Sequence, residues 1–252
     1  MSPMPPSVAR AVQLLERGRN PAAREMLALL ASAGDAEAAQ MLAGLLVDSG
    51  CFEEAVEVLR PILESDPRSG EAQMLMATAL AGAGDLEGAA DRFRQAADLL
   101  PESPAPRAAL GYILSRLDRP EQAVAELGRA ITLDSGDPSA YCSLGGALLQ
   151  MGRYADAVEA YLKSIRLAPD FSDAHFGLGI GLDRLGERDS AAAAFQTAIG
   201  CAPDSASQLA FYAESLEEMK RPAEAAAAYE RLLEISPNDE TAREKLARCP
   251  AE

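Results

Sequence analysis

Residues 138–171, PSAYCSLGGALLQMGRYADAVEAYLKSIRLAPDF, contain two amphipathic patterns of helical period that are separated by a glycine. The first pattern brings Leu144 and Leu148 onto one face, and the second does the same for Ala157 and Tyr161. The stretch therefore predicts two helices joined by a tight turn.

The ends of both helices are marked by residue type. Gly152 lets the chain leave the first helix in a left-handed conformation, and Pro169 ends the second because proline lacks the amide that a continuing helix needs. Glycines and prolines stand at the corresponding helix ends in other segments of the chain. Matching glycines are Gly50, Gly84 and Gly186, and matching prolines are Pro67, Pro101, Pro203 and Pro237.

The pattern recurs every 34 residues from 36 to 239 without insertion or deletion, which is typical of a stack of identical helical hairpins. The step is set by six alanines, Ala55, Ala89, Ala123, Ala157, Ala191 and Ala225. A column of large residues keeps the same step: Leu59, Phe93, Leu127, Tyr161, Phe195 and Tyr229. We therefore predict six repeats, at 36–69, 70–103, 104–137, 138–171, 172–205 and 206–239, and number positions from the first residue of each.

The flanking segments are less regular. Residues 7–35 resemble a degenerate first repeat, because Ala23 precedes Ala55 by 32 residues and not 34. Three prolines within 1–6 predict a flexible tail. Residues 240–252 begin with one polar helical pattern and no second one, which predicts a capping helix followed by a short tail.

These residues resemble the tetratricopeptide repeat family. In 172–205 the resemblance is carried by His175, Leu178, Gly179, Leu182, Gly186, Ala191, Phe195, Ala198 and Pro203. It implies an all-α, right-handed superhelical solenoid of helix–turn–helix repeats. The chain departs from the family pattern where Asp118 and Lys220 replace the turn glycine and where Ser135 replaces a proline.

Composition narrows the class of partner. The net charge of −16 argues against sequence-independent binding to nucleic acid, because phosphates are neutralised by Lys and Arg. No apolar run reaches the length of about 18 residues that a membrane span requires. Residues 1–6 have neither a basic start nor a hydrophobic stretch, so we expect a cytoplasmic protein without membrane insertion.

No group of residues predicts catalysis. The single histidine, His175, is at a repeat position where the family packs a side chain against the neighbouring helix. The four cysteines lie at unrelated repeat positions, which indicates neither a disulfide framework nor a metal site. We therefore expect a chain that is not an enzyme and that has no catalytic residues, cofactor or metal.

A partner is predicted on one face of the first helices. Positions 4, 7, 8 and 11 are used for packing, whereas positions 2, 5, 9, 12 and 13 point the opposite way. The resemblance implies that this second face lines a concave groove. Its predicted partner-binding residues are Met74, Thr78, Tyr112, Arg116, Cys142, Leu149, Gln150, Phe176, Ile180, Arg184, Glu214, Glu217 and Glu218. A contiguous apolar stripe of this kind marks an interaction surface, although contact with the adjacent first helix also explains it.

Charge varies along the repeats. Residues 36–103 sum to −9 (4 basic, 13 acidic), residues 104–171 to −1 (7 basic, 8 acidic) and residues 172–239 to −7 (5 basic, 12 acidic). The three glutamates of the last repeat can take a basic end of a bound peptide, or can simply be a solvated helix face.

Two binding modes of the family are not supported by the residues. The basic clamp for acidic chaperone tails is absent, because its places hold residues such as Gln40, Gly44 and Met74. Asparagine ladders are absent too, since the only asparagines are Asn20 and Asn238. We therefore predict a noncatalytic scaffold that binds an apolar or amphipathic segment of a partner protein. Alternatives are a targeting or adaptor module for a separately encoded enzyme, or a member of an envelope assembly complex.

Overall fold

The computed structural model describes residues 7–249, so the predicted tail at 1–6 and the residues 250–252 of the predicted cap lie outside the described residues. Within 7–249 the structure has fifteen α-helices and no strand. The predicted all-α class is therefore confirmed. The handedness of the superhelix stays a prediction. The chain divides into two compact units, Met1–Leu133 and Asp134–Glu252, called unit 1 and unit 2 below.

Unit 1 consists of four helical hairpins in which each helix packs against the next along the chain. Its helices are α1 (Val8–Glu16), α2 (Asn20–Ser32), α3 (Ala36–Asp48), α4 (Phe52–Ser65), α5 (Gly70–Gly82), α6 (Leu86–Leu99), α7 (Pro104–Arg116) and α8 (Pro120–Leu133). The first hairpin lies inside the predicted degenerate repeat at 7–35, and the next three lie inside the predicted 34-residue repeats.

Unit 2 consists of three hairpins and one final helix, again packed in chain order. Its helices are α9 (Pro138–Gln150), α10 (Tyr154–Leu167), α11 (Ser172–Arg184), α12 (Arg188–Cys201), α13 (Ala206–Glu218), α14 (Pro222–Ile235) and α15 (Glu240–Arg248). The final helix, α15, occupies the place predicted for the cap.

The turns between paired helices share one backbone conformation. Gly152 has a φ of 72°, in the left-handed region that glycine enters without steric cost. Asp118 and Lys220 take the same conformation, with φ values of 56° and 60°, although they carry side chains. The chain therefore keeps the turn geometry where the glycine is missing. Likewise α8 ends at Leu133, two residues before Ser135, as the other second helices end two residues before proline.

Small residues bring the two helices of each hairpin together. All six alanines of the repeat column are fully buried. A second contact pairs position 8 of the first helix with the large residue at position 24 of the second. In 138–171 a Cβ on Gly145 would lie 2.7 Å from Cζ of Tyr161, which is closer than carbon atoms pack. The glycine is therefore required by the size of the ring opposite to it.

Candidate partner-binding surface

In unit 1 the predicted face is formed by α5 and α7. Tyr112 is 52% exposed, although it lies on a helix whose neighbouring residues Gly111 and Ile113 are buried. The guanidinium carbon of Arg116, one turn further, is 6.0 Å from the centre of the Tyr112 ring. This distance is compatible with a cation–π contact, which holds the exposed ring against α7.

The other two predicted residues of unit 1 are less accessible. Met74 and Thr78 are half-buried on α5, one turn apart. The Thr78 hydroxyl donates to the Met74 carbonyl oxygen at 3.0 Å. That proton is engaged with the helix, so the hydroxyl can offer a partner only its acceptor capacity.

A buried amide fixes the start of α5 next to Met74. Gln73 is 2% exposed, and its Nε2 donates to the Pro67 carbonyl oxygen at 3.0 Å. Its Oε1 accepts from Nη1 of Arg92 at 3.2 Å. An unsatisfied buried amide costs about 1–3 kcal/mol. The two bonds therefore keep the first turn of α5 in one place.

In unit 2 the corresponding face contains an aromatic cluster. The ring centre of Phe176 lies 5.3 Å from that of Phe195 and 5.2 Å from that of Phe211. Phe195 is fully buried, whereas Phe211 is 39% exposed. The tilted rings have the geometry that aromatic pairs prefer. Phe176 is thus half-buried by other residues of unit 2, whereas Phe211 is exposed and offers apolar surface to a partner.

The predicted face did not include Phe211. It occupies position 6 of its repeat, outside the positions 2, 5, 9, 12 and 13 that the helical period selects. The same position holds Met41, Leu75, Ala109, Ser143 and Gly177 in the preceding repeats. The available signal is that one repeat has a ring where its neighbours have smaller side chains.

Between α9 and α11, the Tyr161 ring fills a recess lined by glycine. A Cβ on Gly177 would lie 2.2 Å from Cζ of Tyr161 and 2.6 Å from its hydroxyl oxygen, and one on Gly145 would lie 2.7 Å from Cζ. Tyr161 itself is 4% exposed. The ring can therefore occupy this recess only because no side chain projects from the two helices there.

The Cys142 thiol beside this recess and the Tyr161 hydroxyl within it are both neutral. Burial, with a smaller contribution from the Asp173 carboxylate, raises the pKa of the Cys142 thiol to about 12. Burial likewise raises the pKa of Tyr161, and Cys142 and Asp173 add to the increase. Both groups stay protonated at neutral pH, so Asp173 provides the negative charge at this place.

Asp173, which is not among the predicted partner-binding residues, is held by a chain of hydrogen bonds. Its Oδ1 accepts from Nε2 of Gln208 at 3.1 Å, and Gln208 is buried at 8% exposure. The Ser172 hydroxyl lies 2.9 Å from Oε1 of Gln208 and 3.0 Å from the Ala198 carbonyl oxygen. A buried amide with both ends bonded orients the exposed carboxylate and links α11 to α13.

The acidic residues of the last repeat already have a cationic partner. Nζ of Lys245 on α15 lies 2.7 Å from Oε1 of Glu214 and 3.5 Å from Oε2 of Glu217. The Tyr229 hydroxyl donates to Glu217 at 3.0 Å, and burial together with this bond raises the pKa of Tyr229 to about 12. A partner with a basic end would have to compete with Lys245 for these two carboxylates.

The other predicted residues of unit 2 divide into two groups by exposure. Cys142, Leu149 and Ile180 are half-buried, so each can offer a partner only part of its side chain. Gln150, Arg184 and Glu218 are exposed at the ends of their helices. Arg184 and Glu218 line one polar pocket together with Asp183 and Arg188.

The remaining candidates for chemistry have structural surroundings. Nε2 of His175 lies 2.7 Å from the Pro169 carbonyl oxygen, so it bonds to the turn before α11. All four cysteines are unpaired and half-buried. In the part of the chain that the structure describes, no group of three or more His, Cys, Asp or Glu residues could hold a metal ion. None of the described helices is both long and apolar enough to cross a membrane.

Solved structures with the same fold include proteins of varied size. A chain of the APC/C hetero-tetramer Cut9-Hcn1 is 20% identical with a TM-score of 0.75, over 97% of this chain and 49% of that chain. This chain therefore spans about half the length of that relative. PilW, a type IV pilus biogenesis factor, is 20% identical with a TM-score of 0.76, over 84% of this chain and 98% of its own.

Two smaller repeat proteins are also similar. YrrB, described as a TPR protein with an unusual peptide-binding site, is 24% identical with a TM-score of 0.59, over 74% of this chain and 92% of its own. MamA is 26% identical with a TM-score of 0.58, over 66% of this chain and 97% of its own. No curated protein sequence matches this one.

The tetratricopeptide repeat family model matches the sequence at 41–104, 108–172, 143–206 and 176–240, which together make up more than half of the chain. The matched segments extend from within α3 to the first residue of α15, apart from residues 105–107, and they contain the whole buried alanine column. The chain belongs to the tetratricopeptide repeat family.

Proposed function

We propose that this protein is a noncatalytic scaffold whose first-helix face binds an apolar or amphipathic segment of a partner protein. Tetratricopeptide repeats indicate a protein–protein interaction scaffold in general. The observation that supports the binding face is Tyr112, because half of a large aromatic side chain is exposed on a helix whose large aliphatic side chains, Leu110, Ile113 and Leu114, are buried. Aromatic side chains of this kind are frequent anchors in protein interfaces.

The two units contribute different surfaces to this proposal. In unit 1 the exposed anchor is Tyr112, with Arg116 beside it. In unit 2 the exposed anchor is Phe211 of α13, which packs against Phe176 of α11. The half-buried Ile180 lies one turn further along α11. Each surface combines apolar area with polar groups at its edge, which is the usual composition of a specific interface.

The partner can be found by photocrosslinking. A benzoylphenylalanine at Tyr112 would be crosslinked in extract of the source organism, and the attached protein identified by mass spectrometry. The attached segment would then be synthesised and its affinity measured with the unmodified chain. The identity of the protein also tests the alternatives of an adaptor for an enzyme and of an envelope complex.

Matched variants test the face itself. We expect Tyr112→Ala to weaken binding of that segment at least about thirtyfold, because losing an aromatic anchor costs 2 kcal/mol or more. Leu162→Ala is the control, since Leu162 is 40% exposed but lies on the second helix of its repeat. Circular dichroism would check that helicity is retained. Equal affinities of Tyr112→Ala, Leu162→Ala and the unmodified chain would rule out the proposed face.

A further inference from the structure

The first-helix face of unit 2 contains one carboxylate that is oriented but has no cationic partner. Asp173 lies in the first turn of α11 and is exposed. Gln208 holds its Oδ1, and among residues 7–249 no Lys or Arg forms an ion pair with it. Glu214 and Glu217, by contrast, share Lys245. Of these three carboxylates, Asp173 is therefore the one open to an external cation.

Asp173 is next to apolar surface on the same helix face. Phe176 and Ile180 follow it by three and seven residues, so the three side chains lie on one side of α11. Phe211 packs against Phe176 and extends the apolar area to α13. Asp173 and Phe176 are one helical turn apart, so a partner that contacts the Phe176 ring is close enough to place a cation at the Asp173 carboxylate.

The charges around this surface favour a cationic ligand. Residues 172–239 carry a net charge of −7 (5 basic, 12 acidic), which attracts a basic segment. Arg184 lies at the other end of α11, where it shares a polar pocket with a second cation, Arg188, and with the acidic residues Asp183 and Glu218. The positive charge there is accompanied by acidic groups, whereas Asp173 has no basic neighbour among its described contacts.

We propose that unit 2 binds a basic amphipathic helix, with its apolar side chains on Phe176, Ile180 and Phe211 and a Lys or Arg side chain at Asp173. This inference rests on the proposed function, because it names the partner class for the same face. Gln208 acts as a positioning residue, since its amide leaves Oδ2 of Asp173 for the cation. The hydroxyl of Tyr161 and the thiol of Cys142 are neutral neighbours that add no competing charge.

Two designed peptides test the charge preference directly. Both are fluorescein-labelled amphipathic helices of the same length with leucine on one face; one carries lysine on the other face, and the second carries glutamate. Fluorescence anisotropy with the full chain gives their dissociation constants. We expect the lysine peptide to bind at least about tenfold more tightly than the glutamate peptide, because like charges at an interface are strongly unfavourable.

A matched pair of variants tests the role of Asp173. In Asp173→Asn the new amide oxygen can still accept from Gln208, so the link between α11 and α13 is kept while the charge is lost. We expect this variant to bind the lysine peptide up to about fivefold more weakly, the range of a partly exposed ion pair. Glu159→Gln, on the exposed side of α10, removes the same charge elsewhere in unit 2 and should leave the affinity unchanged.

Three results would overturn the inference: equal binding of the two peptides, an equal loss in Asp173→Asn and Glu159→Gln, or no binding of either peptide. None of these refutes the proposed function, which depends on the crosslinked partner and on the Tyr112→Ala variant. Conversely, a lysine preference that is reduced in Asp173→Asn but not in Glu159→Gln supports the inference even if the segment crosslinked at Tyr112 contacts unit 1 alone.

Discussion

Replacing Gly177 by alanine tests how tightly α10 and α11 are packed around the Tyr161 ring. A Cβ at this position would lie 2.2 Å from Cζ of Tyr161, and the ring is held from the other side by Gly145. Overpacking a well-filled core costs about 1–3 kcal/mol. Alanine also favours the helix over glycine by about 1 kcal/mol. The net change expected for Gly177→Ala is therefore a loss of about 0–2 kcal/mol in the free energy of unfolding.

The same substitution in a Tyr161→Leu chain separates the cost of overpacking from the gain in helix propensity. With Tyr161→Leu already present, the clash is removed, as in unit 1, where Leu59 and Leu75 occupy the same two repeat positions within one hydrophobic cluster. Gly177→Ala should then stabilise the chain by about 1 kcal/mol, its helix propensity alone. Gly44→Ala on α3 is the control in the unmodified chain, because no atom lies within 4 Å of its added Cβ.

The assay is urea unfolding followed by circular dichroism at 222 nm on the four combinations and the control. We expect a coupling energy of about 1–3 kcal/mol between positions 161 and 177. If Gly177→Ala stabilises the unmodified chain as much as Gly44→Ala does, the Tyr161 ring is not confined and the reasoning fails. The comparison requires the same slope against urea in all variants, since repeat proteins can unfold in parts.

Two further predictions concern the turns and the buried thiol. Lys220→Gly should raise the free energy of unfolding, measured in urea, by about 0.5–1 kcal/mol, because a left-handed residue with a side chain is strained. Asp118→Gly should raise it by less, because aspartate tolerates this conformation better than lysine. Equal increases in the two variants would contradict this reasoning. The pKa of Cys142 is raised from 9.0 to about 12, so at pH 8 its thiolate fraction should be roughly a thousandfold smaller in the folded chain than in the unfolded chain. Alkylation by iodoacetamide, followed by peptide mass spectrometry, measures this difference as a slower labelling rate. Labelling of the folded chain at the rate of the unfolded chain would refute the prediction. Because the unfolded thiol ionises first, this group should lower stability as the pH rises from about 9 towards 12.

The repeat register could be predicted from the sequence because it depends on residue size at fixed intervals. Alanine, a large residue and a turn glycine recur often enough to locate every hairpin from α3 to α14. The turns at Asp118 and Lys220 could be located from the register, but their left-handed conformation was not predicted, because neither residue type favours it as glycine does.

The accessible surface was harder to predict, because exposure depends on neighbouring helices and not on helical period alone. Phe176 is on the predicted face, yet Phe195 and Phe211 cover part of it. Glu214 and Glu217 are on that face too, but Lys245 reaches them from a helix 31 and 28 residues further along the chain. Such contacts join residues whose separation is not the repeat interval, so no column of the sequence signals them.

The glycine contacts of Tyr161 also bear on how such a chain can be recombined. In 104–137 and 172–205 the small residue and the large one opposite to it belong to the same hairpin, as Gly111 with Leu127 and Gly179 with Phe195 show. A duplicated copy of either would bring both halves of that contact with it. Tyr161 depends as well on Gly177 of the following hairpin. Repeats 138–171 and 172–205 should therefore be exchanged between proteins only as a pair.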